Sequence, residues 1–289
     1  MSEAYNMVRW LRLLVLPLLA GCGSDPGENR GIDEGDGGVT SDGSIQSDGG
    51  QKDASDAGGD AGPCFATMAL VSTDAGLVCV DRYEGSVIAR FADGGEGTWP
   101  HYLPVDGLDG GTFRAVPAAG VAPQAYISEV QAEEACRASG KRLCTIDEWT
   151  AACRGRPSAD NVYPYGNVYE AGACNEGRAT SPMNDLFGAT PTYSAAELGD
   201  PRCDQLPNTV APGGAFTRCV SAYGVFDMHG NVHEWVSDSV AGDATRGNFL
   251  GGYFVDAKIN GPGCEYRTTA HQKTYHDYST GFRCCADPK

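Results

Sequence analysis

The chain has 289 residues, with 21 Lys and Arg against 38 Asp and Glu and a formal net charge of −17. That surplus of acid repels a phosphate backbone and argues against nucleic acid as a partner. Hydrophobic residues make up 41% of the chain and twelve cysteines are present, which suits an exported protein with a cross-linked core.

In chain order, Arg9 and Arg12 precede an apolar run, Leu13 to Ala20, that closes on Leu19-Ala20-Gly21-Cys22. The run is too short to span a bilayer. Residues 1–22 read as a bacterial lipoprotein signal with Cys22 as the lipidated residue, and a plain secretory signal cleaved nearby is the other reading. Gly23, in place of Asp, resembles the outer-membrane sorting rule of known lipoproteins. Residues 23–62 hold ten acids, two basic residues, twelve glycines and no aromatic residue. Too little apolar surface is available there to offset ordering entropy, so the segment reads as a disordered acidic tether with a reach of roughly 35 Å.

Residues 63–289 have globular composition and suffice for one domain. Ser128-Glu-Val-Gln131 and Thr145-Ile-Asp-Glu148 are capping boxes, predicting helices that run to Gly140 and to near Gly155. Val130, Ala135 and Cys136 are expected on the inner face of the first, Trp149, Ala152 and Cys153 on that of the second. Elsewhere Gly and Pro recur too often for long elements, so short strands and ordered loops are expected. Eleven cysteines remain after Cys22, an odd number, so at least one thiol is free, modified or paired with another chain.

The segment Gly224-Val-Phe-Asp-Met-His-Gly-Asn-Val-His-Glu-Trp235 concentrates chemistry. Asp227 and Glu234 offer carboxylates while the Gly230-Asn231 bend turns carbonyls inward, an oxygen-rich set suited to calcium. An amphipathic turn whose acids face solvent fits the same spacing. His229 and His233 lie four apart, but the order is not H-E-x-x-H and Gly230-Asn231 disfavours a helix, which speaks against zinc. Cys264, His271 and His276 are either a soft-metal set or ordinary loop residues. No nucleophile elbow, phosphate loop or dinucleotide fingerprint is present.

Together with Ala135-Cys-Arg-Ala-Ser-Gly-Lys-Arg-Leu-Cys-Thr-Ile-Asp-Glu-Trp149, Tyr163-Pro-Tyr-Gly-Asn167, Gly251-Gly252 and Gly281-Phe-Arg-Cys284, this segment resembles the formylglycine-generating enzyme, or sulfatase-modifying factor, family. The blocks occur in that family's order over most of Cys64 to Asp287. The resemblance implies an irregular, loop-rich α+β fold related to C-type lectin domains. It also implies calcium held by Asp227, Glu234 and the carbonyls of Gly230 and Val232, with a second calcium at Asn175 and the Glu176 carbonyl. The family bridge to Gly-Phe-Arg-Cys becomes Cys136–Cys284. Cys285 faces the other side of its strand, and Cys144 is its candidate partner; Cys64–Cys79 is a further expected pair.

The departures from the family bear on activity. Oxidase members bind copper(I) through two cysteines five apart after a Gly-Gly-Ser-like turn, and counting from Gly251 those places hold Asp256 and Gly261. Cys264 could enter the second place only with a loop insertion. The family cysteine after Tyr-Arg, which bridges to the residue matching Cys153, is Thr268 here, so Cys153 needs a new partner and Cys264 is the nearest. The reading is an envelope lipoprotein, lipid-anchored at the outer membrane, whose calcium-bearing domain binds a peptide or glycan. The alternatives are a copper-dependent oxidase of a cysteine or related thiol, with Cys264 catalytic, and a structural envelope component.

Overall fold

The computed structural model describes residues 62–155 and 161–289. The signal segment, Cys22 and the tether up to residue 61 lie outside the described residues. The first sheet contains β1 (Met68–Thr73), β2 (Gly76–Asp81), β6 (Arg142–Leu143) and β11 (Cys284–Ala286) in the order β1-β2-β11-β6. A second sheet has β3 (Gly85–Arg90) between β4 (Glu96–Thr98) and β5 (Thr112–Pro117). The third runs β10-β7-β8-β9, from β7 (His233–Val240), β8 (Asp243–Leu250), β9 (Arg267–Thr268) and β10 (Thr280–Phe282). Two main helices, α1 (Glu129–Ala138) and α2 (Ile146–Arg154), and two short ones, α3 (Pro182–Phe187) and α4 (Ala195–Leu198), complete the fold. No helix among the described residues is long and apolar enough to cross a membrane.

Both capping boxes form: Ser128 and Gln131 open α1, and Thr145 and Glu148 open α2. Each satisfies two backbone N–H groups that a helix start would otherwise leave bare. α1 buries Ala132, Ala135 and Cys136, and α2 buries Trp149, Ala152 and Cys153. Val130 departs from expectation and is 53% exposed. It stands two residues before Ala132, about 200° around the helix, and so on the opposite face.

α2 closes one core with Val71, Val78, Val80, Met228, Val236 and Leu250. α1 closes another with Val87, Trp99, Trp235, Phe249 and Phe282. The element that matters most for the site is the parallel pairing of β10 with β7, which sets Gly281 opposite Glu234 and Phe282 opposite Trp235. Gly281 permits it, because a Cβ there would meet Val232 Cγ2 at 2.4 Å.

Five disulfides tie these elements: Cys64–Cys79, Cys136–Cys284, Cys144–Cys285, Cys153–Cys264 and Cys174–Cys219. Among the described residues the free thiol is Cys203, which is buried. Cys284 and Cys285 bridge to different elements because adjacent strand residues face opposite sides.

Candidate functional site

The Gly-Asn turn between Asp227 and Glu234 is built into the core. Asp227 (φ 60°), Gly230 (φ 83°) and Asn231 (φ 59°) all take left-handed backbone, which Gly adopts freely and Asn and Asp tolerate best. At Gly230 a Cβ would lie 2.2 Å from the Asn175 carbonyl oxygen, so no other residue fits. Asn231 is the hub: its backbone N–H donates to the Asn175 carbonyl at 2.8 Å, and its side-chain oxygen accepts from Asn175 Nδ2 and the Ala211 N–H, each at 2.8 Å. Its amide nitrogen donates to Glu84 Oε2.

Three buried carboxylates, Glu84, Asp227 and Glu234, collect around this turn. Arg283 reaches Glu234 in a two-pronged pair, Nε to Oε2 at 2.9 Å and Nη2 to Oε1 at 2.8 Å, and also donates to the Asp81 and Phe226 carbonyls. Trp149 Nε1 adds a third bond to Glu234, at 2.8 Å. Glu234 therefore faces a guanidinium and an indole first, where sequence had suggested an ion. Asp227 Oδ2 accepts from the Gly214 N–H at 2.7 Å. Burial, then the charges of Asp227 and Glu234, push the Glu84 carboxyl well above its usual range, against the pull of Arg283. Burial also raises Asp227 to about 6. One guanidinium among three carboxylates leaves the cluster short of positive charge.

Asn175 donates its side-chain amide to the Thr209 carbonyl and to Asn231. Thr209 in turn donates its hydroxyl to the Asp204 carbonyl. Asp204 is 4% exposed and neither carboxylate oxygen has a partner; burial and Asp277 push its pKa well up. Glu176 uses its carboxylate for Lys258 and Tyr169.

The two histidines of the turn part company. His229 packs edge-on to Tyr163, and neither ring nitrogen has a partner. His233 lies 3.1 Å from Ser279 Oγ through Nδ1 and 3.2 Å from Tyr266 Oη through Nε2. The Ser279 hydroxyl donates to Asp277 Oδ1, so His233 carries its proton on Nδ1 and accepts the Tyr266 phenol at Nε2. Burial pushes His233 down to about 3 and His229 down to about 4.

Cys264 is bound to Cys153 on α2. His271 is stacked on Tyr275 at 3.9 Å, and His276 lies 3.8 Å from Asp106. Among the described residues, no group of three or more His, Cys, Asp or Glu side chains is placed to hold a metal. Of the two readings of Cys264, His271 and His276, the Cys153–Cys264 bond leaves that of ordinary loop residues. At the counted copper positions, Asp256 Oδ1 accepts the Lys258 and Ile259 N–H groups, and Gly261 carries a φ of 117°.

The profile of the sulfatase-modifying factor enzyme 1-like domain matches residues 84–288, most of the chain. The protein belongs to the formylglycine-generating enzyme family. Relatives include the inactive C-alpha-formylglycine-generating enzyme 2 of Bos taurus, 29% identical over 57% of this chain and 50% of that one. The formylglycine-generating enzyme of Thermomonospora curvata is 31% identical over 52% of this chain and 50% of its own. The chain thus spans about half the length of the curated relatives it matches. Among solved structures, CarF is similar at 17% identity and a TM-score of 0.43, covering 78% of this chain and 94% of its own. The Major Tropism Determinant I1 variant is similar at 13% and 0.42, covering 77% and 53%. Superpositions this loose add nothing to the assignment, which rests on the sequence match. The irregular, loop-rich α+β fold is that of a formylglycine-generating-enzyme-like domain.

Sequence reasoning located Asp227, Glu234 and their turn but missed Glu84 and Arg283 as members of the cluster. The available signal was slight: Asp81 and Glu84 fall between two apolar strand segments, and Arg283 stands alone between β10 and β11, flanked by Phe282 and Cys284.

Proposed function

We propose that this member of the family is a tethered envelope lipoprotein whose domain has exchanged thiol oxidation for ligand binding. The observation that carries the reading is the Cys153–Cys264 disulfide. It consumes the one cysteine near the counted copper positions, while Asp256 and Gly261 occupy the positions themselves. The remaining thiol, Cys203, is packed with Tyr126, Met183 and Phe254 in a separate cluster. A copper(I) clamp needs two soft thiolates together, so the donor set here does not fit that ion. The test is direct: the oxidised protein should bind copper(I) no better than a Cys203→Ser variant and leave a Cys-x-Pro-x-Arg peptide unchanged in mass. Copper-dependent conversion of that cysteine to formylglycine would restore the oxidase.

Calcium belongs to the same reading, and to ligate it Glu234 would share oxygens that already accept from Arg283 and Trp149. Three buried carboxylates against one guanidinium leave negative charge that a divalent cation would offset, with Asp227, Glu234 and the Gly230 and Val232 carbonyls as its ligands. A second ion would lie near Asn175 and the Glu176 carbonyl. Calcium would supply structural charge, with no step of chemistry assigned to it. Chelation should lower the melting temperature and added calcium restore it; an unchanged melting curve refutes the idea. The ligand of the domain is a peptide or a glycan. Cys22→Ala should move the protein out of the membrane fraction, and unaltered fractionation would contradict the anchor.

A further inference from the structure

The loop that follows Asp256 carries an ion pair with an unequal geometry. Lys258 Nζ lies 3.2 Å from Glu176 Oε2 and 3.7 Å from the centroid of the Tyr169 ring. The Lys258 side chain is 46% exposed, whereas that of Glu176 is 4% exposed. The Tyr169 hydroxyl donates to the other oxygen of Glu176, so ring and carboxylate form one preset unit. Gly230 backs it, since a Cβ there would touch Glu176 Cβ at 3.1 Å, and the Cys174–Cys219 bridge anchors the segment two residues before Glu176. On the inner side stands Tyr163, 5.8 Å from the Tyr169 ring, and behind it His229, fully buried with two unpartnered nitrogens. On the outer side Val168 is 76% and Ile259 80% exposed. With Tyr169, three of the nine exposed large hydrophobics among the described residues fall at this one place.

A buried carboxylate beside an aromatic face is a receptor for a cation, and it cannot be left empty cheaply, because an unpaired buried charge is strongly disfavoured. Lys258 meets that need from a flexible stem on the surface. A ligand can replace it only by exchanging one cation for another.

We infer that Tyr169 and Glu176 form a binding site for a lysine or arginine side chain of a peptide partner, and that Lys258 occupies it in cis until the partner arrives. The exposed Val168 and Ile259 would take the aliphatic stem and apolar neighbours of that side chain. Residues 63–289 carry 27 acids against 17 basic residues, which steers a basic segment toward the domain. This inference rests on the binding-module reading and names the ligand class of that module. It uses the carboxylate of Glu176, whereas the calcium reading uses the carbonyl.

The test uses the full chain and a fluorescein-labelled Val-Leu-Lys-Leu-Val amide followed by fluorescence polarisation. Lys258→Met removes the resident cation and keeps the stem, so the peptide should bind about tenfold or more tighter than to the natural protein, provided the site is open in a tenth of molecules or fewer. Glu176→Gln in the Lys258→Met background should abolish the gain, and a peptide with Glu in place of Lys should not bind. In the unmodified protein, saturating lysine peptide should raise the rate at which acetic anhydride labels Lys258, read by mass spectrometry. Equal affinity with and without Lys258, together with an unchanged labelling rate, overturns the inference. Binding of an N-acetylglucosamine hexamer that survives Glu176→Gln, with no lysine-peptide binding, would do so in favour of a glycan. Copper-dependent oxidation of a sulfatase peptide would instead defeat the binding-module reading and leave these affinities as they are.

Discussion

Removing the Cys153–Cys264 bridge tests the part of the structure on which function turns. The bridge joins α2 to the loop before β9 and closes 111 residues. Taken alone, a loop of that length would stabilise the fold by about 4.8 kcal/mol at 25 °C through the entropy it removes from the unfolded chain. It is not alone, because Cys144–Cys285 already ties the same two regions together. Through that neighbour the unfolded chain connects Cys153 to Cys264 by a path of about 30 residues, which lowers the expected contribution to about 3.6 kcal/mol. In the double variant Cys153→Ala with Cys264→Ala, no stray thiol remains to pair elsewhere. Its unfolding free energy, from urea titration of the oxidised protein, should fall by that amount, and its melting temperature by about 7–14 °C for a domain of this size. Either single substitution should cost nearly as much as both, since each breaks the same bond. A loss under about 1 kcal/mol, or single-variant losses that merely add up to the loss of the double, would refute the bridge and return Cys264 to the candidates for chemistry.

Arg283→Met removes the guanidinium that faces Glu84, Asp227 and Glu234, and the loss should be on the order of 3–5 kcal/mol, as for a broken buried pair, measured by urea denaturation; a variant as stable as the natural protein would show that the carboxylates are neutral or otherwise paired. Acid should destabilise the fold through its buried histidines. His233 is held neutral down to about pH 3, chiefly by burial, while in the unfolded chain it gains a proton near pH 6.5. A depressed value of this kind adds stability that is complete above pH 6.5 and is lost as pH falls, on the order of 3 kcal/mol by pH 4. The stability difference between the natural protein and His233→Phe should therefore shrink across that window, and parallel curves would show that the ring is not the acid-sensitive group. The raised acids Glu84 and Asp227 act in the opposite direction, so the comparison between variants, not the absolute curve, carries the test.

Local chemistry by itself determined the helix starts, because a capping box lies within four residues: Ser128 with Gln131, and Thr145 with Glu148. It determined that an odd thiol must remain, since parity is a property of composition, and that Cys284 and Cys285 must bridge apart, since adjacent strand side chains diverge. The Gly230-Asn231 turn and its two flanking acids were legible for the same reason. Tertiary structure decided what those acids face. Glu84 meets Asn231 across 147 residues, and Arg283 meets Glu234 because β10 runs parallel to β7, a pairing that no local pattern encodes. It decided that Cys203 is the unpaired thiol and that Cys174 joins Cys219. It also turned Val130 outward, because the face a helix buries depends on what packs against it. The meeting of Lys258 with Tyr169 and Glu176 likewise required two loops some 80 residues apart to fold side by side. Burial then gives these contacts their weight, since a charge exposed in the unfolded chain must find its counterion once water is excluded.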